Sequence, residues 1–329
     1  MALQSSGQIS LNDIHVEAGG SSGSLAGIND SDIRGLISKS SGAQMSFSEW
    51  YGATAAVDLP IPNSGTNING QSQLQEITVS TYISSGGTLV IPSSMWIWSD
   101  STSTAALTID IPCTIINNGK IIGKGGAGGA DRDGHGAAGG MAIKINSSVS
   151  NVTITNNSGA FIAGGGGGGG SFSQAGGGGG AGGGAGGKSS PSNATGGAGG
   201  ILNASGSDGN GHVNGRGGGG QAGGSGGARD ETSSGNNFGG GGGGGGRILP
   251  GSSTGSGSGH GGGGGVAGSS GTQQGNFQLG AGGGGWGAAG GSNSYGGFTA
   301  SGGAAGKAVE DSGNSYTLSN NGTIYGATT

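Results

Sequence analysis

The stretch "TIINNGKIIGKGG" (Thr114–Gly126) joins two kinds of sequence. A β-prone run of Thr and Ile meets an Asn-Asn-Gly turn, a second short β-prone run follows, and the chain passes straight into glycine. The pattern returns as "VTITNNSGAFIAGGG" (Val152–Gly166) and as "YTLSNNGTIYGA" (Tyr316–Ala327). Self-similarity at three separated places predicts three equivalent β-hairpins, stacked together. Two lead into glycine-rich segments and the third follows the last of them, so ordered β-structure brackets the glycines.

That bracketing decides how to read a chain in which 93 of 329 residues are Gly, with runs such as "FGGGGGGGGRILP" (Phe238–Pro250). Ordering a Gly costs about 0.5–1 kcal/mol more than ordering an Ala, and no side chain is buried in return. Collagen is excluded, because the glycines come in blocks and only 6 residues are Pro. A flexible coil is the ordinary reading of such composition, and a coil needs no hairpins at its ends. Ten glycine-rich segments can be marked: 123–129, 136–140, 164–170, 176–187, 196–200, 217–227, 239–246, 261–268, 280–291 and 300–306. Seven to twelve residues in a polyproline-II-like helix span about 22–37 Å. Without Cβ atoms such helices approach closely and bond through backbone N–H, C=O and Cα–H groups. The interspersed Ala181, Ala185, Ser225, Ala288 and Ala289 fit outer positions of a three-fold helix.

Upstream, residues 56–122 hold short runs rich in Ile, Val, Thr and aromatics, such as "EITVSTYI" and "TLVIPSSMWIWS", separated by Ser/Gly/Asn turns. These are strands of a β-rich connector, either a sandwich or a solenoid. In residues 1–55, "SSGQISLNDI" (Ser5–Ile14) is echoed by "SSGAQMSFSEW" (Ser40–Trp50). Ser10 with Asp13, and Ser46 with Glu49, predict capping boxes that start short helices. "NDSDIRGLI" predicts a third helical piece, capped by Asp30 or Ser31. Apolar residues are too few there for an independent core, so the module docks onto something larger. The fold class is therefore mostly β and irregular: a small N-terminal helical module (1–55), a β-rich connector (56–122), and a glycine-helix bundle with interleaved β-hairpins (123–329).

Several functions are excluded. Net charge is −5 with 11 Lys and Arg and no basic cluster, which argues against nucleic acid. No apolar run approaches the roughly 20 residues of a membrane span, and the start of the sequence lacks a signal-peptide pattern, so synthesis in a cytoplasm without ordinary export is expected. The single cysteine, Cys113 in "TIDIPCTII", reads as a small buried apolar residue. "GGGAGGKS" (Gly182–Ser189) matches a phosphate-binding loop letter for letter, yet lacks the strand before it and the helix after it. "DRDGHG" (Asp131–Gly136) and "SDGNGH" (Ser207–His212) do not complete a calcium ligand set. His135, His212 and His260 edge glycine segments without metal-ligand spacing and read as loop polarity. No catalytic constellation stands out, so no enzymatic activity, cofactor or metal is expected.

From Gly123 to Thr329 the sequence resembles the glycine-rich, receptor-recognising adhesins at the tips of long tail fibres in T-even-type bacteriophages. The resemblance rests on the ten glycine-rich segments separated by variable stretches, and on the closing "SGGAAGKAVEDSGNSYTLSNNGTIYGATT". It implies a sandwich of polyglycine-II helices whose variable loops contact a host outer-surface receptor, either an outer-membrane protein or a surface glycan. It also implies a place on the virion, at a tail fibre or tail tip. The first 55 residues look like segments of other phage virion proteins, implying attachment to another tail or fibre protein. A purely structural spacer or plug is the alternative function.

If successive glycine segments run up and down from the connector, the loops after odd segments lie at the far end: 130–135, 171–175, 201–216, 247–260 and 292–299. Their apolar, aromatic and arginine residues are then the expected receptor contacts: Phe172, Ile201, Leu202, Arg216, Arg247, Ile248, Leu249, Tyr295 and Phe298. The loops 188–195, 228–238 and 269–279 are expected to face the connector or the fibre.

Overall fold

The computed structural model describes residues 3–37, 39–60, 72–130, 134–171, 176–187, 280–295 and 297–329. At its start, helix α1 (Leu11–Glu17) begins at Ser10 with both halves of the capping box in place. Asp13 N donates to Ser10 Oγ at 3.1 Å and Ser10 N donates to the Asp13 carboxylate at 2.8 Å. Helix α2 (Ser31–Gly35) starts from Asp30, and a single 3-10 turn (Phe47–Trp50) starts from Ser46 with Glu49 completing its box. Pieces this short do not persist alone. They persist here because Ile14, Ile33 and Trp50 are fully buried in one cluster with Leu3, and Trp50 Nε1 donates to the Ile33 carbonyl at 3.0 Å.

The connector is a β-solenoid, which settles the choice left open above. Its first turn is β1 (Ala56–Asp58), β2 (Ser72–Gln75) and β3 (Ile77–Thr78), and its second is β4 (Thr88–Ile91), β5 (Met95–Trp98) and β6 (Leu107–Ile109). The third is β7 (Thr114–Asn117), β8 (Lys120–Ile122) and β9 (Ile143–Ile145). The fourth starts with β10 (Val152–Asn156) and β11 (Phe161–Ala163). After the outlying strands β12 (Asn293–Tyr295) and β13 (Phe298–Ala300), it ends with β14 (Val309–Glu310). β15 (Tyr316–Asn320) and β16 (Thr323–Tyr325) begin a fifth. Equivalent strands stack into parallel sheets in the orders β1-β4-β7-β10-β15, β2-β5-β8-β11-β16 and β3-β6-β9-β14. Alternate side chains point inward, so Leu89, Ile97, Leu107, Ile115, Ile121 and Ile154 are fully buried in a common core, and Cys113 is 3% exposed beside them. The sheets run past residue 122, and strands from the glycine-rich part complete them.

The three hairpins expected at Thr114, Val152 and Tyr316 are corners instead. β7 pairs with β10 and β10 with β15, while β8 pairs with β11 and β11 with β16, all in parallel. The Asn-Asn pair between the two strands turns the chain from one sheet to the next. Its first member faces inward, and Asn117 Nδ2 donates to Asn156 Oδ1 at 2.9 Å while Asn156 Nδ2 donates to Asn320 Oδ1 at 2.8 Å. A buried amide without a partner costs about 1–3 kcal/mol, so stacking one on the next, with Gly119 N donating to Asn117 Oδ1 and Asn156 Nδ2 also donating to Thr323 O, keeps the corner amides satisfied. Asn157 and Asn118 repeat the contact one position on, at 2.8 Å.

One corner carries connections that lengthen from turn to turn. Between the second and third strand of successive turns lie Glu76 alone, then 99–106, then 123–142, then 164–308. The glycine-rich part is thus inserted at one edge of a growing solenoid.

Candidate functional site

Backbone bonding passes without a break from the second sheet into the glycines. Ser99 N donates to Ile122 O, Gly123 N to Ala163 O, and Gly164 N to Tyr325 O. Beyond that line the pairing acquires a three-residue repeat. Gly165 and Gly168 donate to segment 134–140, Gly166 and Gly169 to 177–181, and Gly167 and Gly170 to 288–291, at 2.7–2.9 Å. The same six residues accept, in the same order, from Gly306 and Gly303, from Gly126 and Gly129, and from Gly284 and Ala281. Every N–H and C=O from Gly165 to Gly170 is satisfied by six surrounding segments. A Cβ on Gly168 would lie 1.9 Å from the Ala127 carbonyl oxygen, and one on Gly167 would lie 1.9 Å from that of Gly303. This run is pure glycine because backbone surrounds it on all sides.

Outer segments show the complementary pattern. Lys124, Ala127 and Ala130 recur at every third residue with partly or fully exposed side chains, as do His135, Ala138 and Met141, and Ser301, Ala304 and Lys307. Ala185 is exposed as expected for an outer position, whereas Ala181 and Ala288, at 0% and 7%, are buried. The reason is a set of turns that glycine-only sequence does not announce. Segment 176–187 doubles back at Ala181–Gly183, and 280–291 doubles back at Trp286–Gly287.

Both turns rest on the solenoid. Trp96, Phe161 and Tyr325 form an aromatic ledge on the outer face of the second sheet, and Trp286, fully buried, packs on it 5.0 Å from Phe161 and 6.2 Å from Tyr325. Ala181 joins the same cluster. Gly287, at φ 62, lies so close that a Cβ would meet the Tyr325 carbonyl carbon at 2.1 Å.

These turns revise the up-and-down count. Segments 123–130, 164–171, 184–187 and 288–292 leave the solenoid, and 134–140, 176–181, 280–285 and 301–306 return. At the far end, about 19 Å out by the rise of an extended three-fold helix, Ser171 N donates to Gly134 O and Gly177 N to Gly129 O. There Gly187 N donates to Gly177 O, and Ala281 N to Gly170 O. The chain therefore leaves at 187 and re-enters at 281 on the same end, where the count had placed residue 187 beside the connector.

Of the expected contact residues, Tyr295 and Phe298 fall in the hairpin β12–β13 at this far end, where they are register partners. The hairpin is rooted by Asn293 and Ala300, both fully buried. His135 sits beside it with Nδ1 accepting from Ser301 N at 2.9 Å. Phe172, Ile201, Leu202, Arg216, Arg247, Ile248 and Leu249 lie outside the described residues, as do the loops 188–195, 201–216, 228–238, 247–260 and 269–279.

A cleft of about 470 Å³ separates the helical module from the outer face of the first sheet. Asp32 is the one charged side chain in a lining that includes Leu36, Thr88, Thr114 and Ile116, so it holds no paired acid and base. The single cysteine, Cys113, has its thiol pushed up to about 12 by burial and by the Asp110 charge, which keeps it protonated and unreactive.

The sequence profile of the family described as "Phage tail fibre adhesin Gp38" matches residues 56–237. No curated protein matches the chain. Among solved structures, the chain is similar to the crystal structure of the gp37-gp38 adhesin tip complex of the bacteriophage S16 long tail fiber. That likeness has 19% identity, covers 100% of both chains, and has a TM-score of 0.36.

Proposed function

The chain belongs to the Gp38 family of phage tail fibre adhesins, and from that premise we propose that it recognises a host-surface receptor through loops at the tip of a polyglycine-II bundle. The polyglycine-II reading is supported by the three-residue repeat of bonds from Gly165 to Gly170 to six neighbouring segments. The receptor reading is carried by one observation: Gly187 and Ala281, which bracket 188–279, both stand at the end remote from the solenoid, next to the hairpin of Tyr295 and Phe298. Binding residues concentrate in loops held by a rigid scaffold. Ile201, Leu202, Arg216, Arg247, Ile248 and Leu249 all belong to that interval, and Phe172 precedes it. The protein acts by binding alone, without cofactor or chemistry, and residues 1–55 hold it to another fibre protein. Purified protein added to host cells before infection should block adsorption of the virus in a dose-dependent way. Adsorption that is undiminished at saturating protein would make the bundle a spacer instead.

A further inference from the structure

Four segments of the bundle are joined to solenoid strands, so the chain itself sets their depth: 123–130 follows β8, 164–171 follows β11, 134–140 leads to β9 and 301–306 to β14. The other two pairs, 176–181 with 184–187 and 280–285 with 288–292, are joined to no strand at the base. Only their turns touch the solenoid.

Bonding within the bundle does not fix the register of such a pair. Ala281 and Gly284 donate to Gly170 and Gly167, and Gly170 and Gly167 donate to Gly291 and Ala288, so residues three apart make the same bonds. Feeding three residues through the turn at Trp286, from the arriving arm to the leaving arm, would offer every neighbour the same N–H and C=O groups. It would also push Asn293, where the hairpin β12–β13 begins, outward by about 9 Å. Side chains must therefore choose the register.

Two choose by exclusion. That shift would bring Ala281 to the place of Gly284, where a Cβ stands 2.3 Å from the Ala288 carbonyl oxygen of the leaving arm. The opposite shift would bring Asn293 to the place of Gly290, where a Cβ stands 2.0 Å from the Gly168 carbonyl oxygen. One chooses by attraction. Either shift lifts the fully buried Trp286 from its place 5.0 Å from Phe161 and 6.2 Å from Tyr325. The Trp286 Nε1 finds no hydrogen-bond partner among the described residues, so contact area and ring packing hold the indole on the ledge.

Resting on the reading of the hairpin at Asn293–Ala300 as part of the receptor-binding tip, we propose that Trp286 is a positioning residue for recognition. Seated on Trp96, Phe161 and Tyr325, it fixes which residues form the turn at the base. Through the glycine-rich arm Gly287–Ser292 it thereby sets how far the hairpin stands from the solenoid at the other end.

The test uses the full chain with spin labels on Ser148→Cys in the solenoid and Ser294→Cys in the hairpin, both exposed positions, while the buried Cys113 stays unlabelled. Ala281→Gly with Trp286→Gly removes one stop and the anchor together, and leaves unbroken glycine from 280 to 287. Pulsed electron-spin measurements on this variant should give two distances, the second longer by up to about 9 Å, with protease resistance kept. Ala281→Gly alone, and Ala281→Gly with Trp286→Phe, should each give the native distance alone, because an aromatic ring still rests on the ledge. A single native distance in the first variant, two distances in either of the others, or loss of protease resistance in the first variant would each overturn the proposal. The first variant should also compete less well than the Phe variant for host cells. Equal competition despite a second distance would strike the hairpin from the receptor-binding tip and leave the register role of Trp286 standing.

Discussion

Replacing Gly168 by Ala adds one methyl group at the centre of the bundle. The new Cβ would stand 1.9 Å from the Ala127 carbonyl oxygen, against the 3.4 Å at which ordinary contact begins, so the neighbouring segment must retreat by about 1.5 Å. That segment is held at 2.8 Å by Gly126 N to Gly166 O and Gly129 N to Gly169 O, and a retreat of this size breaks both bonds. Two backbone hydrogen bonds contribute about 0.5–1.5 kcal/mol each. Overpacking adds about 1–3 kcal/mol, and the stiffer unfolded chain returns about 0.4–1 kcal/mol. The net loss centres near about 3 kcal/mol, several-fold more than the roughly 0.5 kcal/mol expected of Ala127→Ser on the exposed side of the neighbouring segment. Denaturant midpoints and protease resistance of the two variants read the difference. Equal stability of Gly168→Ala and Ala127→Ser would refute the reasoning, because it would mean that backbone does not enclose this helix.

Asn156→Leu should destabilise the solenoid by about 1–3 kcal/mol, because it removes the acceptor for Asn117 Nδ2 and the donor to Asn320 Oδ1; a melting temperature unchanged from wild type would sink the ladder. The caps of the helical module should loosen in acid. Asp13 is held below its ordinary 3.8 by bonds from the Ser10 hydroxyl and backbone N–H, and Glu49 below its ordinary 4.5 by Lys39 and the Ser46 N–H. A lowered folded-state value means stabilisation that is present above those ordinary values and is lost as pH falls below them. Amide exchange at Asp13 and Glu49 should therefore accelerate relative to the solenoid core between about pH 4 and pH 2, and parallel behaviour of caps and core would contradict this. Cys113, with its thiol pushed up to about 12, should resist thiol reagents at pH 8.5 in folded protein and react on unfolding; rapid modification of the native state would show that the core is open there.

The capping boxes at Ser10 and Ser46 were legible from sequence because a cap is a contract between residues three apart. "NDSDIRGLI" reads as helical for the same local reason, and α2 (Ser31–Gly35) forms there. The Asn-Asn repeat is plain in the sequence, but its partnership across turns of the solenoid is not. Strand, corner and strand look alike in a hairpin and in a solenoid, since local preference does not say whether Ile115 lies beside its own neighbour or beside Ile154, 39 residues on by Asn117 and Asn156. The distal count failed at Ala181–Gly183 and Trp286–Gly287 for a related reason. A glycine run is conformationally permissive throughout, so a turn inside it leaves no punctuation.

By itself the sequence determined that β-structure flanks the glycines and that a position enclosed by backbone on all sides must lack a Cβ, because each of these follows from residue type and local spacing. Tertiary structure alone decided which segments surround Gly164–Gly170, which alanines are buried, and that the chain leaves and re-enters the bundle at one end. Those outcomes depend on backbone hydrogen bonds between distant segments, and every glycine offers the same N–H and C=O, so no side chain names its partner.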